Sequence, residues 1–279
     1  MSSRCREGGR ARVGALVLAA ASAAAIAGLP GTLSGPLRVC ADPSNPPFSS
    51  ADESGFENRI ARVIAAELGT DVQYYWWPQR RGFVRNTLDA HVCDVVIGIP
   101  ARSEGVLTTP AYYSAGYVFA FRPDRAPGLR SYDDPRLARL RVGVPLVGND
   151  MAATPPGHAL ARRGLNDNVI GYAPLGATST AERMVTALAD GTLDVALLWA
   201  PQAEYYARRQ DFEIVLAPAH DASDAAPDTF PMAMGVRRDD VALRDTLAAA
   251  LARAAPRIDA VLRDYGVADA PAQRAGNGS

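Results

Sequence analysis

Apolar residues change their spacing in a regular order along the chain, and that order predicts the elements. Leu37 to Ala41 is a short apolar run that reads as a strand, broken at Asp42-Pro43 and followed by a Pro/Asn/Ser-rich loop to Ser54. From Gly55 to Gly69 the apolar positions 56, 60, 63, 64 and 68 share one face of a helix, with Gly69 suited to its C-terminal cap. A strand over 71–76, a helix over 83–90 and an apolar strand over 94–99 complete a βαβαβ rhythm. A polar turn at 101–105 leads to an extended stretch at 108–113 and a strand at 116–121. The rhythm then restarts: strand 140–144, helix 154–163, strand 169–173, helix 181–189, a buried strand ending at Trp199, helix 202–209 and strand 212–217. A last strand at 232–236 turns back toward the first unit, ahead of helices over 241–254 and 257–265 and a polar, loose tail from 269.

The two units echo each other. Leu88-Asp89-Ala90-His91-Val92-Cys93-Asp94-Val95 and Leu188-Ala189-Asp190-Gly191-Thr192-Leu193-Asp194-Val195 both run from a helix end through a turn into Asp-Val and a buried strand. Alternation of strands and helices predicts an α/β fold of two lobes, each a mostly parallel sheet flanked by helices. The first lobe is expected over 37–121, with 232–268 returning to it, and the second over 125–230. Open α/β sheets take ligands at the carboxyl ends of their strands, so two facing lobes predict a cleft between them.

The first residues change the expected compartment. Arg4, Arg6, Arg10 and Arg12 precede an uncharged run from Val13 to Leu29, and Ala25-Ile26-Ala27 offers a small-residue cleavage site. This predicts a signal peptide over 1–27, export to the periplasm, and no membrane attachment once the leader is removed. Charge is balanced at −1 with 21% charged residues, which argues against a nucleic-acid groove. A monomer is expected. Cys40 and Cys93 form an even pair in an oxidising compartment, which favours a bridge. A register that sets Asp42 beside Pro100 would separate them by roughly 13 Å, which argues against one, so the disulfide stays open.

In order along the chain, Val39-Cys40-Ala41-Asp42-Pro43, Gly55-Phe56-Glu57-Asn58, the long string Trp76 to Leu88, Cys93 to Pro100, Thr154 to Arg163 and Trp199-Ala200-Pro201 carry a specific resemblance. They resemble the type II periplasmic solute-binding proteins, family 3, and within them the quinoprotein dehydrogenase-associated proteins of the MxaJ/XoxJ type. The resemblance implies a non-enzymatic periplasmic protein that binds a pyrroloquinoline quinone (PQQ)-dependent methanol dehydrogenase and itself holds no cofactor. The fold alone also allows a receptor feeding an ABC transporter, or a dehydratase-like enzyme.

The candidate residues sharpen that expectation. In amino-acid-binding members of the family an Arg after the third strand clamps the carboxylate and an acid after the late second-lobe strand holds the ammonium. Here those places hold Pro100-Ala101-Arg102 and Trp199-Ala200-Pro201. Arg102 is a stand-in clamp, but an ammonium would meet an indole, so a small and largely apolar ligand fits better than an amino acid. Trp77, Arg80 and Arg81 leave a strand at its carboxyl end and suit a cation–π and hydrogen-bonding surface for a partner. Asp42 and Phe48 sit beside the same edge. Asn149, Asp150 and Thr154 precede a second-lobe helix whose N-terminus favours an anion. His91, His158 and His220 are far apart and no metal site is expected.

Overall fold

The computed structural model describes residues 33–147, 152–174, 178–221 and 229–267. The expected leader over 1–27, Asn149, Asp150 and the tail 269–279 lie outside the described residues.

Three parallel strands organise each unit. β1 (Leu37–Ala41) lies between β4 (Val72–Trp76) and β5 (Val95–Pro100), and a small hairpin of β2 (Ser44–Asn45) and β3 (Ser49–Ser50) follows it within the Pro/Asn/Ser loop. α1 (Phe56–Leu68) connects β3 to β4 and ends at Gly69, whose φ of 68° needs a residue without Cβ strain. α2 is confined to Phe83–Asn86. The sequence pattern extended it to residue 90. Instead the Thr87 hydroxyl donates to the Phe83 carbonyl, His91 takes a positive φ, and the chain tightens to bury Leu88 and Cys93.

β6 (Leu107–Thr108) and the nine-residue β7 (Tyr113–Phe121) lead out of the first unit. A 3-10 turn at Pro135–Ala138 precedes the second βαβαβ set: β8 (Val142–Val147), β9 (Ala152–Ala153), α3 (Pro155–Arg162), β10 (Val169–Tyr172), α4 (Thr180–Ala189) and β11 (Val195–Trp199). α5 (Ala200–Ala207), β12 (Val215–Pro218), β13 (Thr229–Val236) and α6 (Val241–Asp264) finish the fold. α6 runs unbroken where two helices are expected. Pro256 lies on its exposed side, while Leu247, Leu251, Ala254, Ile258 and Leu262 keep one buried face across it, and that packing outweighs the lost backbone bond.

The strands form one curled sheet in the order β10-β8-β11-β7-β13-β5-β1-β4. β7 and β13 are its antiparallel centre: Tyr113 to Gly116 pair with β13, whereas Tyr117 to Phe121 pair with β11. Apolar residues gather accordingly. α1 and α6 cover one face of β1, β5 and β13 around Phe56, Ile60 and Ile97, and Phe83 and Leu88 cover the other. Around β8 and β11, α3 packs on one face and α4 with α5 on the opposite face.

The repeat legible in the sequence has a physical basis. The Arg38 guanidinium donates through Nε and a terminal nitrogen to both oxygens of Asp94, at 2.7 and 2.6 Å. Arg141 donates to Asp194 in the same way, at 2.9 and 2.8 Å. In both units the Asp backbone N–H also donates to the carbonyl of that arginine. Each fork therefore locks the start of the first strand to the start of the third, and both Asp carboxyls are held below their ordinary range by their arginines.

Cys40 and Cys93 are bridged, with Cα atoms 5.4 Å apart. The strand pairing and the turn before β5 both differ from the expected register. β1 sets Cys40 beside Val96, so Asp42 falls near residue 98 rather than Pro100. Cys93 also lies in the turn before β5 rather than on a straight extension of it, which brings it under the sheet face to which Cys40 points, among Phe83, Leu88 and Val96.

Candidate functional site

The site is built where β1 and β4 end. Asp42 follows β1, and its carboxylate accepts from the backbone N–H of Ser44 at 2.8 Å and of Gln79 at 2.6 Å. One carboxylate thus ties two loops together at the carboxyl edge of the sheet. Asn45, on β2, spans further. Its amide nitrogen donates to Gln79 Oε1 at 3.3 Å, and its oxygen accepts from Gln202 Nε2 on α5 at 3.4 Å. These neutral amides connect the first unit to the second across a cavity of about 500 Å³ lined by Asp42, Asn45, Arg80, Ser179, Thr180 and Gln202.

Beneath this edge lies a buried acid. Glu57, in the first turn of α1, is only 8% exposed, and burial together with the Asp42 charge pushes its carboxyl up to about 8. Ile97 and Gly98 oppose a single residue of β13 between the Ala233 and Gly235 pairings, which makes a bulge. The Glu57 carboxyl sits over Gly98, where a Cβ would meet its Oε1 at 1.9 Å and the Tyr113 hydroxyl at 3.4 Å. That hydroxyl is buried with no hydrogen-bond partner among the described residues. Gly98→Ala is therefore expected to cost about 2 kcal/mol through overpacking. Urea denaturation measures this, and an unchanged midpoint would show that Glu57 moves away freely.

The expected site residues divide. Asp42 and Arg80 line the cavity. Trp77 extends the β1–β4 ladder by donating its backbone N–H to the Ala41 carbonyl, and the residue is 37% exposed, whereas Trp76 stacks on Tyr74 at 4.6 Å. Arg81 is exposed beside them. Phe48 is buried against Phe56 at 5.2 Å and takes a packing role. Pro100 closes β5 opposite Met232, and Arg102 is exposed in the following turn and is not among the residues lining the cavity.

Thr154 stands at the N-cap of α3 without a side-chain capping bond, since its buried hydroxyl donates to the Pro145 carbonyl at 2.8 Å. Trp199 does not line the cavity either. It closes against Tyr117 at 5.1 Å and Phe230 at 5.6 Å, where β7 and β13 meet. An apolar space lies elsewhere, in a cavity of about 270 Å³ bordered by Tyr117, Val118, Pro201, Leu216, Pro218 and Val267. The cleft is consequently more polar than the indole at position 199 suggested.

The profile of the bacterial extracellular solute-binding proteins, family 3, matches residues 37–265. The chain belongs to that family. Among curated relatives, Protein MoxJ of Methylorubrum extorquens is 36% identical over 250 residues, covering 84% of this chain and 81% of the relative. Protein MoxJ of Paracoccus denitrificans is 31% identical, covering 83% and 88%. Among solved structures, the periplasmic binding protein XoxJ from Methylobacterium extorquens AM1 superposes with a TM-score of 0.67 at 35% identity, covering 83% of this chain and 97% of that one. At the carboxyl ends of β1 and β4, Asp42 holds Gln79 while Asn45 reaches both Gln79 and Gln202.

Asn45, Glu57, Gln79 and Gln202 are the members that sequence reasoning did not single out. Neutral amides leave no charge pattern to read. Glu57 left one faint signal, a lone acid at the start of a helix whose apolar face must enter the core.

Proposed function

We propose that the chain is an exported, periplasmic solute-binding-like accessory of a PQQ-dependent methanol or alcohol dehydrogenase, acting by binding the dehydrogenase rather than by catalysis or nutrient uptake. One observation carries this reading. The place where an ammonium would need an acid is occupied by Trp199, locked among aromatic rings, while Trp77 and Arg80 are presented outward on the rim. Tryptophan and arginine are the side chains that most often dominate protein interfaces. The similarity to MoxJ and XoxJ proteins supports the same partner.

Co-purification with the methanol dehydrogenase of the same organism tests the proposal. Association is expected, and Trp77→Ala with Arg80→Ala should weaken it at least ten-fold, about 1.4 kcal/mol. Absence of association with both the metal-loaded and the metal-free dehydrogenase overturns it.

The 500 Å³ cavity also has the size of a small-molecule site, so a receptor for a polar solute is the second reading. A solute at 100 times its Kd would add ~2.7 kcal/mol of stability, and a thermal-shift screen of small polar organic solutes separates the two readings.

A further inference from the structure

β4 is a terminal strand of the sheet, paired in register with β1 over all five of its residues. The Leu37 N–H donates to the Asp71 carbonyl at 2.8 Å and the Trp77 N–H to the Ala41 carbonyl at 2.9 Å. Because parallel strands alternate the side on which each residue bonds, odd-numbered residues of β4 turn their backbone groups to β1. Those of Val72, Tyr74 and Trp76 point off the sheet. Natural edge strands are usually guarded by a charge, a proline or a bulge. β4 reads Val-Gln-Tyr-Tyr-Trp, has none of these, and no described strand pairs with its outer side.

The loop leaving β4 selects a partner. Exposed Trp77 is succeeded by Arg80, Arg81 and Arg85, all exposed. Among the described residues neither Arg80 nor Arg85 enters an ion pair, although most arginines near the other strand starts and helices do. The acid next to this loop, Asp42, is engaged by the N–H groups of Ser44 and Gln79. A second copy pairing in parallel on this edge would bring these arginines together, which disfavours that arrangement. An acidic chain would not meet that penalty.

We propose that β4 is a docking edge for an extended, acidic segment of a partner protein, which adds as a strand beside Val72–Trp76 with its carboxylates near Arg80 and Arg85. This rests on reading the Trp77 rim as a protein-binding surface and names the element that is recognised. Backbone hydrogen bonds would supply affinity, and the arginines would supply selectivity and speed of encounter.

Fluorescence polarisation of an eight-residue labelled peptide alternating valine with aspartate tests it on the mature chain. The acidic peptide is expected to bind. Its counterpart with lysine for aspartate, and its counterpart N-methylated at alternate backbone amides, should each bind at least ten-fold more weakly. Val72→Pro removes an outward N–H at the first strand position, where proline is tolerated, and should also weaken binding at least ten-fold with an unchanged circular dichroism spectrum. Arg80→Glu combined with Arg85→Glu should do the same without touching the sheet. No binding of the acidic peptide up to about 1 mM overturns the proposal. Equal binding of the N-methylated peptide overturns strand addition, and equal binding of the lysine peptide overturns acidic selectivity. Dimerisation of the chain that Val72→Pro abolishes would assign the edge to a second copy instead. The peptide arms do not involve a dehydrogenase, so their failure is distinguishable from failure of the partner assignment.

Discussion

Replacing Cys40 and Cys93 together by alanine is expected to lower folding stability by about 4 kcal/mol. The bridge spans a sequence separation of 53, and closing a loop of that length removes conformational freedom from the unfolded chain that grows with the logarithm of loop size. Burial adds to the loss, since Cys40 and Cys93 are 2% and 0% exposed within the cluster of Phe83, Leu88 and Val96. Urea midpoints of the oxidised wild type and the double variant measure the effect, and refolding the wild type under reductant should reproduce most of it. Matching midpoints, with both Cys40 and Cys93 titratable as thiols in the denatured wild type, would sink the assignment of the bridge. The consequence reaches the cleft as well. Cys40 lies two residues before Asp42, so the bridge helps fix the end of β1 from which the carboxylate ties the Ser44 and Gln79 loops.

The contrast between this bridge and the Arg–Asp forks explains what the sequence could disclose. Asp94 and Asp194 recur at the same point of two similar strings, so their equivalence was readable, and both are held by an arginine at the start of the neighbouring first strand. The arginines themselves were not readable as partners, because the pairing spans more than 50 residues and depends on register. Register also misplaced Cys93. Extrapolating a strand backwards assumes it stays straight, and the turn at His91, with its φ of 58°, breaks that assumption. Regular periodicity served better: the buried face of α1 carries Phe56, Ile60, Ile64 and Leu68, four of the five positions predicted to share it. Pro256 is the exception, a local break signal overridden by a continuous buried face.

The candidate site was half legible for a related reason. Charged and aromatic side chains such as Asp42, Trp77 and Arg80 announce themselves at a strand end, and the structure keeps them at the rim. Whether an aromatic faces a cleft or a neighbouring strand depends on the local twist, and this turned Trp199 onto Tyr117 and Phe230. The span across the cleft is made by Asn45 and Gln202, 157 residues apart and uncharged, and no sequence pattern connects them.

Glu57 yields the second large effect, and its sign follows from where its proton is held. The N-terminus of α1 favours an anion by roughly 0.3–2 kcal/mol. Burial and the Asp42 charge oppose it and win, since the carboxyl titrates at about 8 instead of the ordinary 4.5. Below 4.5 the group is protonated in both folded and unfolded chains, and its full contribution to stability is present. Between 4.5 and about 8 the unfolded chain releases the proton while the folded chain keeps it, so stability falls as pH rises through this window. At 1.36 kcal/mol per pH unit the loss is capped at roughly 5 kcal/mol, and any shift of the carboxylate toward the cavity reduces it. Glu57→Gln keeps the shape and removes the titration. The variant is expected to match the wild type near pH 4 and to exceed it by several kcal/mol at pH 9, read from urea midpoints across that range. Parallel curves for the two proteins would show instead that Glu57 is ionised in the fold and satisfied by partners. A protonated Glu57 beside the unpartnered Tyr113 hydroxyl leaves Asp42 as the anionic group at this edge. Hydrogen bonds from the N–H groups of Ser44 and Gln79 fix the position of that charge, which in turn helps keep the proton on Glu57.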